Sequence, residues 1–254
     1  LFQQLTLDAN GNNALSEDFD AENVVQWGTA LAEWPYVNWY STLAQYGGSI
    51  MSEDKTTATV NSEEAVQALQ DLVDLIYTYH VSPPAAGFDA WQSWAGGSVA
   101  LVPTGSWFRN FAVDQTDIPG KAWPQWQLGP QPGTWFGAHT FMVPVTLEGE
   151  KLAAVERMIQ FISDNQVLWA ASGQVPARLS AQAELDPENY PSNILLGQTF
   201  AEYGVMEPQH TANLEIVAAI DPEIIAALNG QKTAQQALDD ANARVQAILD
   251  RTPQ

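Results

Sequence analysis

The run Val99-Ala100-Leu101-Val102 does most to limit what this chain can fold into. It is short, aliphatic and β-branched, with Gly96-Gly97 before it and Pro103 after it, which marks a buried strand. Gly105 then lets the backbone turn with no side chain in the way, and Trp107 follows. In α/β folds ligands gather at strand ends. A flat ring delivered there suits a sugar, whose C–H face packs on aromatic rings. A core tryptophan beside a turn fits the same residues.

Helical signals dominate the rest. The spacing of Val66, Leu69, Leu72, Val73, Ile76 and Tyr77 predicts a helix near 61–79, with Asn61 as its cap, Glu64 as the reciprocal partner, and Pro83-Pro84 beyond. A second helix is expected near 150–171, with Leu152, Val155, Ile159 and Ile162 inward and Gly173 past its end. Asp221-Pro222 reads as a cap with proline at the first helical position, giving a helix over 221–229. Thr233 and Gln236 form a capping box for a last helix over 233–249. Thr57–Val60 and Thr140–Val145 are further strand candidates. Residues 114–138, rich in proline and glycine around three tryptophans, read as a loop or crossover.

Charge narrows the partners. Thirty acids stand against nine Lys and Arg, a net charge of −21. Nucleic-acid phosphates and anionic membrane surfaces require clustered bases, and the sequence has none. No apolar run reaches the length of a membrane span, so no insertion of this chain is expected. There is no cysteine, hence no thiolate chemistry, disulfide or cysteine-held zinc. The three histidines, His80, His139 and His210, are far apart in sequence, and no metal or cofactor motif is present. Asp8-Ala9-Asn10-Gly11-Asn12-Asn13 opens like a calcium loop, but its glycine is misplaced and Phe19 holds the twelfth position, so a solvated turn is expected.

Six segments, taken together, resemble the extracellular solute-binding proteins of ABC transporters, in their maltose-binding-protein-like family 1. They are Trp39 to Gly48 (WYSTLAQYGG), Thr56 to Pro83, Gly97 to Trp107 (GSVALVPTGSW), His139 to Pro144 (HTFMVP), Ser172 to Arg178 (SGQVPAR) and Gly230 to Leu249. They stand in the family's order across nearly the whole chain. The resemblance implies an α/β, periplasmic-binding-protein-like (class II) fold of two lobes with a cleft between them. The family's N-terminal stretch has no counterpart before Leu1. The expectation is therefore a helix-rich C-terminal lobe with the N-terminal lobe largely missing. Residues 1–115 and 146–254 would form that lobe, and 116–145 a crossover segment belonging with the absent one. Such a fragment should bind sugar weakly and expose apolar surface.

The resemblance also implies a site. Trp107, after the Gly105 turn, would stack on the sugar. Trp34, Tyr36 and Trp39 would face the cleft, Trp135, Gly137 and His139 would contribute from the other lobe, and Arg178 and the Gln209–Asn213 loop with His210 would add polar contacts. The implied function is carbohydrate capture for membrane permease subunits of an ABC importer, extracytoplasmic, with no catalysis and no cofactor. A secreted glycoside hydrolase using a carboxylate pair is the rival reading, and a helical adaptor with packing tryptophans a third.

Overall fold

The computed structural model describes residues 1–31, 34–114 and 133–252. They divide into two compact units: the described residues within Leu1–Thr104, Gln131–Trp135 and Val205–Gln254, and those within Gly105–Pro130 and Phe136–Gly204. Most of the loop expected at 114–138 lies outside the described residues.

The first unit is built on a helical core. The helix Glu63–Tyr77 buries Leu69, Leu72 and Ile76 of the expected stripe together with Ala65 and Ala68, while Val66 and Val73 are half-buried and Tyr77 is exposed. Its cap is Ser62 rather than Asn61: the Ser62 hydroxyl accepts from the Ala65 N–H, while the Asn61 amide donates to Asp239 at 2.8 Å. Against this helix lie Pro35–Gln45, which the sequence reading missed, and the C-terminal pair Asn213–Leu228 and Ala234–Arg251. The capping box forms as expected, Gln236 N–H donating to the Thr233 hydroxyl at 3.1 Å and Thr233 N–H to the Gln236 side chain at 3.2 Å.

One helix differs from its sequence signal. Asp221-Pro222 does not start a helix; Pro222 lies inside Asn213–Leu228. An interior proline removes one backbone hydrogen bond. Here burial of Ile216, Ile220, Ile224, Ala227 and Leu228 in the core offsets that loss. Asp221 instead accepts the Tyr36 backbone N–H at 3.3 Å.

Val99–Leu101 is a strand, as expected, and pairs parallel with Val24–Thr29, with Trp27 opposite Val99 and Thr29 opposite Leu101. Leu7–Asp8 adds an antiparallel edge. Thr57–Val60 reduces to one isolated bridge, Met51 with Ala58. Thr140–Val145 forms no strand, and Val145 is 98% exposed. A second, two-stranded sheet joins Thr134–Trp135 and Gly204–Val205.

The Asp8 turn is not merely solvated. The Asp8 side chain is buried and accepts from the N–H groups of Asn10 (2.8 Å), Asn12 (2.9 Å) and Asp20 (3.0 Å) and from the Asn12 amide (3.2 Å). Among the described residues no group of three acids or histidines is placed to hold a metal.

In the second unit the expected helix over 150–171 breaks at Asn165 into Gly149–Asp164 and Gln166–Trp169, followed by a 3-10 turn over Ala170–Ser172. Gly173 then turns at φ +92°, where the sequence placed a stop. A side chain there would also meet the Ser106 carbonyl oxygen at 2.1 Å. Buried Asn193 stitches this turn together, its amide donating to the carbonyls of Ala170 (3.1 Å) and Gln174 (2.8 Å). No residue of Gly149–Asp164 is fully buried, so its expected inward stripe is only half covered. Phe141, Met142, Val145, Phe161, Leu168 and Leu179 all stand exposed.

Three outcomes follow from this packing. Gly173→Ala, strained by the positive φ and the clash, should lose about 2 kcal/mol or more in thermal or urea unfolding. Asp8 is held below the ordinary aspartate value of 3.8: burial opposes ionisation, but the donors from Asp20, Asn12 and Asn10 outweigh it. Its stabilisation is full above that value and is lost as pH falls through the lower folded value. Asp8→Asn should therefore melt lower than the parent at neutral pH, with the gap closing below pH 3.8. The apolar surface of the second unit should drive concentration-dependent association in light scattering, and Val145→Glu with Phe161→Glu should reduce it.

Candidate functional site

The first turn of Pro35–Gln45 carries the most distinctive side chains of the first unit. Pro35 occupies the first helical position, where its missing N–H costs nothing. Trp34 before it adopts a left-handed conformation, φ 48° and ψ 65°, uncommon for a residue with a bulky side chain. Its carbonyl accepts from Val37 and Asn38, which starts the helix. Its ring remains 53% exposed and meets the Trp135 ring edge-on, 6.1 Å between centroids.

Trp135 is fixed from two sides. Its backbone N–H donates to the Ser41 hydroxyl at 3.4 Å, and its indole N–H to Glu207 Oε1 at 3.0 Å. The other Glu207 oxygen accepts from the Asn213 amide at 3.2 Å. Beneath, Tyr36 is only 4% exposed, stacked on Tyr40 and tilted against Trp39, both at 6.0 Å. The Tyr40 hydroxyl donates to the Met206 carbonyl at 2.9 Å. Burial, then the Glu207 charge, pushes Tyr40 up to about 12 and Tyr36 further still, so both stay protonated. Burial also raises Asp221, against the Tyr36 N–H that lowers it.

Asn213 Oδ1 and His210 Nε2 are buried with no hydrogen-bond partner, and the buried Tyr36 hydroxyl meets the Glu207 carboxylate. His210 Nδ1 accepts from the Ala212 N–H at 3.0 Å, so the neutral ring carries its proton on Nε2.

The residues expected at a site are divided between the two units. Trp34, Tyr36, Trp135 and His210 belong to the first unit, as does Trp39. Trp39 is 0% exposed and its indole donates to the Ala65 carbonyl at 3.0 Å, which makes it a core residue rather than a ligand surface. Gly105, Trp107, Gly137, His139 and Arg178 belong to the second unit. The Trp107 ring folds back over Gly105, where a side chain would lie 2.1 Å from it. Gly137 and His139 are exposed. Arg178 is committed locally, bonding Asp164 at 2.8 Å and the Ser163 carbonyl at 3.0 Å, which makes it a surface ion pair.

Glu207 escaped sequence reasoning. It is one of 30 acids with no motif around it, and its main partner, Trp135, lies 72 residues away. Taken together, the arrangement offers two indole faces above an acidic, acceptor-rich floor. That is binding chemistry: flat apolar surface beside positioned polar atoms.

The chain is similar to known binding proteins. It matches solved structures of a maltose-bound protein from T. maritima (21% identity, 88% of this chain and 60% of that one, TM-score 0.67) and of a maltose/maltodextrin-binding domain from Bdellovibrio bacteriovorus bound to maltotriose (15%, 98% and 64%, 0.74). A third is an ABC substrate-binding protein from Listeria monocytogenes in complex with cycloalternan (24%, 91% and 61%, 0.66). The chain thus spans less than two thirds of the length of these structures. Compared with curated proteins by sequence, it matches none. These likenesses establish a helix-rich α/β, periplasmic-binding-protein-like fold. The model of the bacterial extracellular solute-binding proteins matches residues 11–196, and this chain belongs to that family.

Proposed function

We propose that this chain captures an extracellular carbohydrate and passes it to the permease subunits of an ABC importer. The observation that carries this reading is the Trp34–Trp135 pair standing over Glu207, Asn213 and Tyr36. The rings would cover the apolar face of a sugar, and the polar atoms would pair its hydroxyls, since a buried unpaired hydroxyl costs about 1–3 kcal/mol. Family membership supports it, and so do relatives holding maltose, maltotriose and cycloalternan. The family is made of binding proteins rather than enzymes, and it is extracellular. No helix among the described residues is long and apolar enough to cross a membrane. In this reading the protein works outside the cytoplasm, free or lipid-anchored, without a cofactor. Residues 1–115 and 146–254 contribute to one lobe of a two-lobed binding protein, with 116–145 crossing to the other, and Trp107, Gly137 and His139 add contacts from their own segments.

Titration with maltotriose, followed by tryptophan fluorescence and calorimetry, should give saturable binding with no product formed. Trp34→Gly should weaken that binding by about 1–3 kcal/mol, the worth of one stacking ring. Its melting temperature should hold or rise, because glycine adopts the left-handed conformation without strain. Lost stability with unchanged affinity would make Trp34 a packing residue, and sugar hydrolysis would favour a carboxylate-pair enzyme.

A further inference from the structure

The donors and acceptors around Glu207 are unequally spent. The donors there are nearly all committed within the protein: the Trp135 indole and the Asn213 amide to Glu207, the Tyr40 hydroxyl to Met206, the Tyr36 N–H to Asp221. Lys55, the base beside this loop, donates to the Gln209 carbonyl. His210 Nε2 is a buried donor left without a partner. Acceptor capacity, by contrast, is left over. Asn213 Nδ2 faces Glu207, which fixes the amide's orientation and leaves Oδ1 buried with no partner. The Tyr36 hydroxyl, 4% exposed, meets the Glu207 carboxylate, and its oxygen lone pairs accept from no group. Glu207 itself accepts one bond on each oxygen, and a carboxylate has room for about four. The Trp135 indole presents its N–H edge to Glu207, and Trp34 packs against Trp135 in an edge-to-face contact.

A group that satisfies this inventory brings several N–H donors and a positive charge. We infer that Glu207, Asn213 Oδ1 and the Tyr36 hydroxyl form a receptor for a primary ammonium on the ligand, so that the carbohydrate taken is an amino sugar. This rests on the carbohydrate-binding reading above and narrows it. A neutral sugar brings at most one O–H donor per position, whereas an ammonium brings three on one atom. The orphaned atoms are sealed from water in this conformation, so a guest reaches them only with local rearrangement of the rings.

The test compares three oligosaccharides on one β-1,4 skeleton: chitosan oligomers, their N-acetylated counterparts and cello-oligosaccharides, with maltotriose as a neutral reference. Binding is read by calorimetry and tryptophan fluorescence. Chitosan oligomers should bind at least tenfold tighter than either of the other two. The preference should persist at about 1 M salt, where screening shortens charge attraction to about 3 Å. Glu207→Gln should erase it. Tyr36→Phe should weaken chitosan binding about tenfold, because it removes one of the acceptor oxygens beside Glu207. Equal affinity for all three oligomers would overturn the inference and leave carbohydrate binding standing. A preference that vanishes in salt would reduce it to general attraction by an acidic protein. Tyr36→Phe melting lower with the preference intact would make the hydroxyl a structural bond to Glu207. No binding of any oligomer or of maltotriose would overturn both readings.

Discussion

Everything at the candidate site depends on how Trp39 is buried. Its ring is sealed in the core of the first unit, and its indole N–H is satisfied by the Ala65 carbonyl, so the largest side chain of the Pro35–Gln45 helix is both packed and bonded to the Glu63–Tyr77 helix. A buried indole without that partner would carry a desolvation cost. With it, the helix has one rotational setting. That setting turns Leu43 inward beside Trp39, stacks Tyr36 on Tyr40, and leaves Trp34 at the helix start outside the core. Exposure of Trp34 is thus a consequence of where Trp39 goes.

The acidic excess is handled in two ways. Most carboxylates are solvated, but Glu223 is buried between the two C-terminal helices and is answered by both Lys232 and Arg244, with Asp240 sharing the lysine at 2.7 Å. A buried charge holds its place only when an opposite charge or several hydrogen bonds answer it. Committing two of nine bases to one carboxylate shows how the scarce cations are used: they serve the core and local ties such as Arg178 with Asp164. Glu207 is treated differently. Neutral N–H donors hold it, and its charge is not cancelled by an ion pair among the described residues.

The two units differ in how completely they bury themselves. The first has a continuous core of Trp39, Leu43, Leu69, Ile216, Ile220, Ile224, Leu228 and Leu238. In the second, a few side chains such as Phe108, Ala170 and Leu185 are buried while Phe161, Leu168 and Leu179 face water. Its order relies more on specific polar stitches, Asn193 to two carbonyls and Gln182 to the Pro176 carbonyl at 2.7 Å. The HTFMVP segment illustrates the difference: its composition favours a strand, but a strand exists only with a partner to share hydrogen bonds, and none lies beside it among the described residues.

The sequence by itself determined what depends on neighbours within one helical turn. The Thr233–Gln236 box, the Gly173 stop and the apolar stripe from Leu69 to Ile76 are local patterns, and local hydrogen bonds and spacing suffice to produce them. Tertiary structure decided the rest. It kept Pro222 inside a helix because the core repaid one lost bond, moved the cap from Asn61 to Ser62 because Asp239 claimed the asparagine, and put Trp39 in the core while Trp34 stayed outside. It alone joined Trp135 to Glu207 across 72 residues and Tyr36 to Asp221 across 185. No periodicity encodes such pairs, because their partners are chosen by how helices pack and not by where residues stand along the chain.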